Sequence, residues 1–263
     1  MNDARKRRLA RLGVDSWALR DGAPATAPTA DVSAAAGPVE AAAPDRVTTP
    51  PPSSPPRADV RPPAQPSAAA SGMDAYADWA TLEAAVASCT QCGLCPTRTQ
   101  TVFGAGARDA PLMIVGEGPG ADEDASGLPF VGRAGKLLDE MLAAIDHSRE
   151  RNVFIANVVK CRPPGNRDPA TDEAEACRPY LEAQIALIKP RLIVALGRVA
   201  AQRLLATDQP LSRLRGPLHH YGPLQTPLLV TYHPAYLLRS PREKAKSWQD
   251  LKGIWQRVNG AVD

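Results

Sequence analysis

Apolar and polar positions along this chain repeat on two scales. Short, almost unbroken apolar runs occur at 111–116 (PLMIVG), 152–159 (NVFIANVV), 191–197 (RLIVALG) and 227–233 (PLLVTYH). Runs of this length, bounded by glycine, proline or asparagine, read as buried strands. Between them the spacing becomes helical: AGKLLDEMLAAI at 134–145, a stretch from Thr171 to about Ile188 with acids in its first turn, RVAAQRLLA after the third run, and SPREKAKSWQDLKGIWQRV to close. Ahead of them all, DAYADWATLEAAVAS reads as a helix running into Cys89. Strands alternating with helices predict a three-layer α/β/α domain around a mainly parallel, four-stranded sheet. Sites in such folds gather at the carboxyl ends of the strands. Gly116 to Gly120, Asn157 to Asn166, and His233 fall there.

The pattern begins only at about residue 74. Residues 21–70 hold 12 Pro and 15 Ala, with valines as the only larger apolar side chains and no aromatic. A segment of that kind cannot bury enough surface to offset the entropy of ordering it, so 21–73 is expected to be a disordered linker. Residues 1–20 place Leu9, Leu12 and Trp17 at roughly helical spacing among six Lys/Arg. That segment is expected to be a solvated helix or a peptide that docks a repair or replication partner or DNA. Residues 74–263 suffice for one compact domain, expected to be monomeric.

Charge and hydropathy narrow the setting. The basic start, Arg5 to Arg8, leads into no apolar h-region, and no run approaches the ~18–20 residues needed to span a bilayer. A cytoplasmic protein with no membrane association is expected. The net charge of +3 is concentrated in the first 20 residues. Any polyanion site on the domain must therefore be a local patch.

Five cysteines remain to be placed: Cys89, Cys92 and Cys95 in CTQCGLC, then Cys161 and Cys177. In a reducing compartment such clustering points to metal or catalysis rather than disulfides. C-x2-C, a long gap and C-x15-C would bring four soft thiolates from distant parts of the fold, which suits zinc or an iron-sulfur cluster. The wide second pair favours the cluster.

The loop GEGPGADEDASGLPFVG (116–132) matches G-x-G-x-x-A at Gly116, Gly118 and Ala121. Pro119, Gly127 and Pro129 argue against a helix starting at once, and Asp122, Glu123 and Asp124 would repel a pyrophosphate. A ligand loop is the better reading, with backbone N–H groups that approach closely and Phe130 as a stacking face. Asn157 ends an apolar strand, and its carboxamide either holds a turn or accepts from one donor while donating to an adjacent acceptor. The second pattern matches uracil at N3–H and O4 and mismatches cytosine. His233 stands at a strand's carboxyl end, and Arg239, Arg242, Lys244 and Lys246 behind it form either a solvated face or phosphate contacts.

Together these blocks, CTQC, GEGPG, GLPFVGRAGKLLDEML, NVVKCRPPGNRDP, ACRPYL, VALG and HPAYLLR, resemble the family 4, iron-sulfur uracil-DNA glycosylases from about Cys89 to Arg239. The resemblance implies a base excision repair enzyme that flips uracil out of DNA, hydrolyses its N-glycosidic bond and leaves an abasic site. It implies one structural [4Fe-4S] cluster on Cys89, Cys92, Cys161 and Cys177, with Cys95 as the rival if the register differs. It further implies that Phe130 stacks on uracil, Asn157 reads its edge, Glu123 crowds a thymine methyl, and Glu117 and Gly118 shape the pocket. His233 would stabilise the charge growing on O2. Related families carry Asp where this chain has Gly118, so water is left to Asn166, Glu117 or backbone groups. CRPPGNRDPA has no inserted histidine loop, and ordinary turnover is expected. The competing reading is a non-catalytic iron-sulfur DNA-binding protein related to phage polymerase-associated proteins. A dinucleotide oxidoreductase is disfavoured because ANVVKC offers no ribose-binding acid.

Overall fold

The computed structural model describes residues 76–260. The basic segment 1–20 and the linker 21–73 lie outside the described residues. Helix α1 (Trp79–Ala87) starts where Asp78 Oδ1 accepts from Thr81 N at 2.8 Å. The short strand β1 (Ala105–Gly106) precedes β2 (Leu112–Gly116), and β3 (Val153–Asn157) and β4 (Leu192–Leu196) follow along the chain. All five positions of β2, β3 and β4 are buried, as central strands covered on both faces require. The remaining strands are β5 (His219–Tyr221) and β6 (Thr226–Thr231).

The sheet order is β1-β3-β2-β4-β6-β5. β3, β2, β4 and β6 are the four expected parallel strands; β1 and β5 pair antiparallel at the two edges. These edge strands, two and three residues long, are too short to show a periodicity of their own.

Alternate residues of each central strand feed two separate cores. Met113, Val115, Phe154, Ala156, Ile193 and Ala195 pack with α1, α4 (Thr171–Ile188) and α5 (Gly197–Leu205). Leu112, Ile114, Val153, Ile155, Leu192 and Val194 pack with α3 (Arg133–Ala143) and the closing helix α8 (Lys244–Asn259). Three layers result. Truncating any of these buried leucines to alanine would cost about 2–5 kcal/mol.

Two expectations change. A six-residue helix, α2 (Ala121–Ser126), does start directly after Gly120 despite Pro119, Gly127 and Pro129. Its acids satisfy backbone amides near and far in sequence: Glu123 Oε2 accepts from Gly120 N at 3.1 Å, and Asp124 accepts from Thr99 N at 3.0 Å. Gly127 then ends it in the left-handed conformation at φ 73°. The closing helical stretch opens with a 3-10 turn at Pro241–Glu243 before α8, and a separate short helix, α7 (Pro234–Arg239), precedes it. Ser240 is non-helical, as expected of the residue before a proline. A four-residue helix, α6 (Leu211–Leu214), lies between α5 and β5.

Candidate active site

Sheet register fixes the first contact of the site. Gly116 is the direct partner of Asn157, so the ends of β2 and β3 lie side by side. A Cβ at Gly116 would collide with Asn157 Oδ1 and sit 2.7 Å from the Phe130 ring. Only glycine lets these two side chains close over the strand end. Gly197, at φ 86° where β4 turns into α5, plays the same part for His233, whose Cβ would lie 3.0 Å from any added Cβ.

Above these strand ends lies a cleft of about 450 Å³, lined by Glu117, Gly118, Glu123, Phe130, Asn157, Asn166 and His233, all the non-cysteine residues expected there, and by Arg239. Asn157 is 1% exposed, and its Oδ1 is buried with no hydrogen-bond partner. An orphaned buried acceptor costs about 1–3 kcal/mol, and its position on a ligand cleft gives it a use. Phe130 has φ 55°, and its ring lies 5.5 Å from the His233 ring at 33°. Arg149 holds that strained turn by donating to the carbonyls of Pro129 at 2.9 Å and Phe130 at 3.0 Å, while Asp139 anchors the guanidinium. The Glu123 carboxylate also accepts from Val131 N at 2.9 Å and Gly132 N at 3.1 Å, which makes it a rigid part of the wall.

The thiols of Cys89, Cys92, Cys161 and Cys177 line a second, smaller cavity together with Lys160 and Tyr180. Cys95 is not among its lining residues. Arg98 Nη1 donates to Cys161 Sγ at 3.2 Å, and Lys160 N donates to Cys177 Sγ at 3.3 Å. N–H donors aimed at sulfur suit thiolate ligands. Among the described residues no three His, Cys, Asp or Glu are drawn tightly enough around one point for a single ion.

A family model described as the uracil DNA glycosylase superfamily matches residues 103–252. A type-4 uracil-DNA glycosylase of Archaeoglobus fulgidus is 44% identical over 176 residues, 64% of this chain and 87% of the relative. The type-4 enzyme of Thermotoga maritima is 46% identical, covering 64% of this chain and 93% of its own. A DNA polymerase of Bacillus phage SP01 is 29% identical over 60% of this chain but only 17% of the polymerase. This chain belongs to the uracil-DNA glycosylase superfamily, on its type-4 branch.

For a glycosylase the protonation states matter. Burial and the neighbouring Arg239 push the His233 imidazole down to about 4, only partly opposed by Glu123. The ring is therefore neutral at neutral pH. Its Nδ1 accepts from Ala235 N at 3.1 Å, so the ring hydrogen sits on Nε2 as a donor. Glu117 moves the opposite way: burial, then the charge of Asp168, raises its carboxyl to about 7, against the pull of Arg198. Burial likewise pushes the Cys177 thiol up to about 11, so thiolate there needs a cation to replace the proton.

Of the basic residues behind His233, Arg239 lines the cleft, whereas Lys246 is paired with Glu243 at 2.9 Å. Asn166, at φ 55°, lines the cleft with its Oδ1 accepting from Arg162 Nε at 2.8 Å. Sequence reasoning missed Arg149, Lys160 and the Asp168–Arg198 ion pair beside Glu117. Arg149 sits in a charged loop with no signal. Lys160 had one: a lone lysine closing the apolar run NVFIANVV.

Proposed function

We propose that this uracil-DNA glycosylase superfamily member excises uracil from DNA and leaves an abasic site for base excision repair. The observation that carries this reading is the buried, unpartnered Oδ1 of Asn157, set in a cleft between an aromatic face and a neutral histidine donor. Flipping a base out of the helix costs a few kcal/mol, least for a mispaired one. Phe130 stacks on the flipped ring, and Asn157 accepts from N3–H and donates to O4. Cytosine would face Oδ1 with a lone pair and the amide N–H₂ with an amino group, leaving buried polar groups unpaired. The rigid Glu123 wall stands against a methyl on C5 and so disfavours thymine.

Bond breaking leaves positive charge on the sugar and negative charge on uracil O2. His233 Nε2–H, fixed in place before the reaction, donates to that oxygen. Gly118 supplies no acid, and an added Cβ there would lie 2.9 Å from Val159 Cγ2. Water is therefore oriented by the Glu117 carboxylate and Asn166, and the leaving anion carries most of the catalysis.

Cys89, Cys92, Cys161 and Cys177 would hold one [4Fe-4S] cluster, which when bound cross-links the loop after α1, the segment after β3, and α4. Hydrolysis moves no electrons, so its part is structural. Residues 74–263 form the catalytic domain on this reading, with 21–73 as tether and 1–20 as docking segment, and the enzyme works as a monomer on cytoplasmic DNA.

The test is alkali-revealed strand cleavage of an oligonucleotide with one U·G pair. Wild type should cleave, and Asn157→Ala should be slower by about 100-fold or more. Binding without cleavage by the cluster-loaded wild type would favour the non-catalytic alternative instead.

A further inference from the structure

Lys160 is a fully buried ammonium that the chemistry above leaves without a part. Its side chain is 1% exposed, yet Nζ meets only uncharged acceptors in its hydrogen bonds: Asn157 O at 3.0 Å and Gln184 Oε1 at 2.7 Å. Gln184 Nε2 is itself spent on Phe103 O at 2.9 Å. The Lys160 backbone is equally committed, with N donating to Cys177 Sγ at 3.3 Å and O accepting from Val102 N at 2.7 Å. One residue thus ties together the segment before β1, the end of β3, and α4.

Removing an ammonium from water is expensive, and neutral carbonyl acceptors return only part of that cost. Methionine would fill the same space without the penalty. Packing does not account for a lysine here; what it holds does. The peptide that follows Asn157 has its N–H on Gly116 O at 2.9 Å and its carbonyl on Lys160 Nζ. With both polar groups gripped, that peptide plane is fixed, and with it the ψ of Asn157 and the direction of its Cα–Cβ bond. The Asn157 Oδ1 has no hydrogen-bond partner of its own, so beyond packing its aim depends on the backbone that carries it.

We propose that Lys160 is a positioning residue for uracil recognition: its ammonium holds the peptide that aims the Asn157 carboxamide, and its backbone anchors that hold to the cysteine-lined cavity. The inference rests on the uracil reading of the cleft.

A double-mutant cycle on the full chain tests it, with wild type, Lys160→Met, Asn157→Ala and the double variant. Lys160→Met keeps the length and the backbone N–H on Cys177. Single-turnover excision from the U·G oligonucleotide should slow about 10- to 100-fold in Lys160→Met, the scale of a misaimed group. Affinity for uracil-free duplex and visible absorption per chain should match wild type. The double variant should be no slower than Asn157→Ala, because both changes act through one carboxamide. Additive losses, a wild-type rate in Lys160→Met, or weakened duplex binding in parallel with excision would each overturn the assignment. If Lys160→Met does not fold, Lys160→Gln takes its place in the cycle; failure of both to fold would assign the residue to stability and overturn the proposal. A wild type that excises nothing would sink the uracil reading itself, a result visible before any variant is compared.

Discussion

The two cavities of this domain are built on opposite terms. At the strand ends, Asn157 Oδ1 is left without a partner and the His233 Nε2 hydrogen is left for a ligand. In the cysteine cavity, Arg98 and the Lys160 amide already donate to sulfurs. An unsatisfied group suits a guest that comes and goes. A satisfied one suits an occupant that stays. The contrast separates recognition from architecture within one fold, and it says which substitutions should cost activity alone and which should cost the molecule.

The largest effect should come from the permanent side. Cys177→Ala removes one proposed cluster ligand from the middle of α4, and loss of a structural metal site is among the few single changes expected to cost about 4 kcal/mol or more. Thermal unfolding followed with visible absorption should show a lower midpoint and a colourless protein. A brown, native-like Cys177→Ala protein would erase the contrast and return Cys95 to the ligand set.

On the transient side, His233→Ala should keep fold and colour yet slow single-turnover excision by about 10²- to 10³-fold, the usual loss for one preorganised donor to a growing anion. A smaller but more diagnostic effect concerns Glu117. With its carboxyl raised to about 7, it is protonated at pH 6 and ionised at pH 8, so a rate that depends on the carboxylate rises with pH through about 7. Glu117→Gln should flatten that profile. An unchanged profile in the variant would remove Glu117 from water orientation. The smallest effect is expected from deleting residues 1–70: if that segment is a tether, as proposed, excision on a short oligonucleotide should stay within about twofold. A large drop in turnover would give that segment a direct part in the site.

Much of this arrangement was legible in the residues, for identifiable reasons. The four central strands are buried on both faces, so their apolar runs stand out against amphipathic helices, and Thr171–Ile188 has the predicted bounds. Asn157 and His233 were recognisable because polar residues closing apolar strands must find a partner. The edge strands were invisible because two or three residues carry no period. The helix Ala121–Ser126 was missed because its evidence is tertiary: Glu123 satisfies three backbone amides, two of them eight and nine residues away in sequence. Arg149 and the Asp168–Arg198 pair escaped for the same reason. Charged residues in loops look alike until the fold shows which carbonyl or carboxylate they reach.

The lone Asn157 oxygen also bears on what happens after the bond breaks. Free uracil still carries N3–H and O4, so the carboxamide proposed to read the damaged base would read the released one too. A pocket walled by a braced Glu123 and a clamped Phe130 turn does not need to reorganise to keep it. On the proposed reading, release of the base is then a step open to inhibition by the reaction's own product.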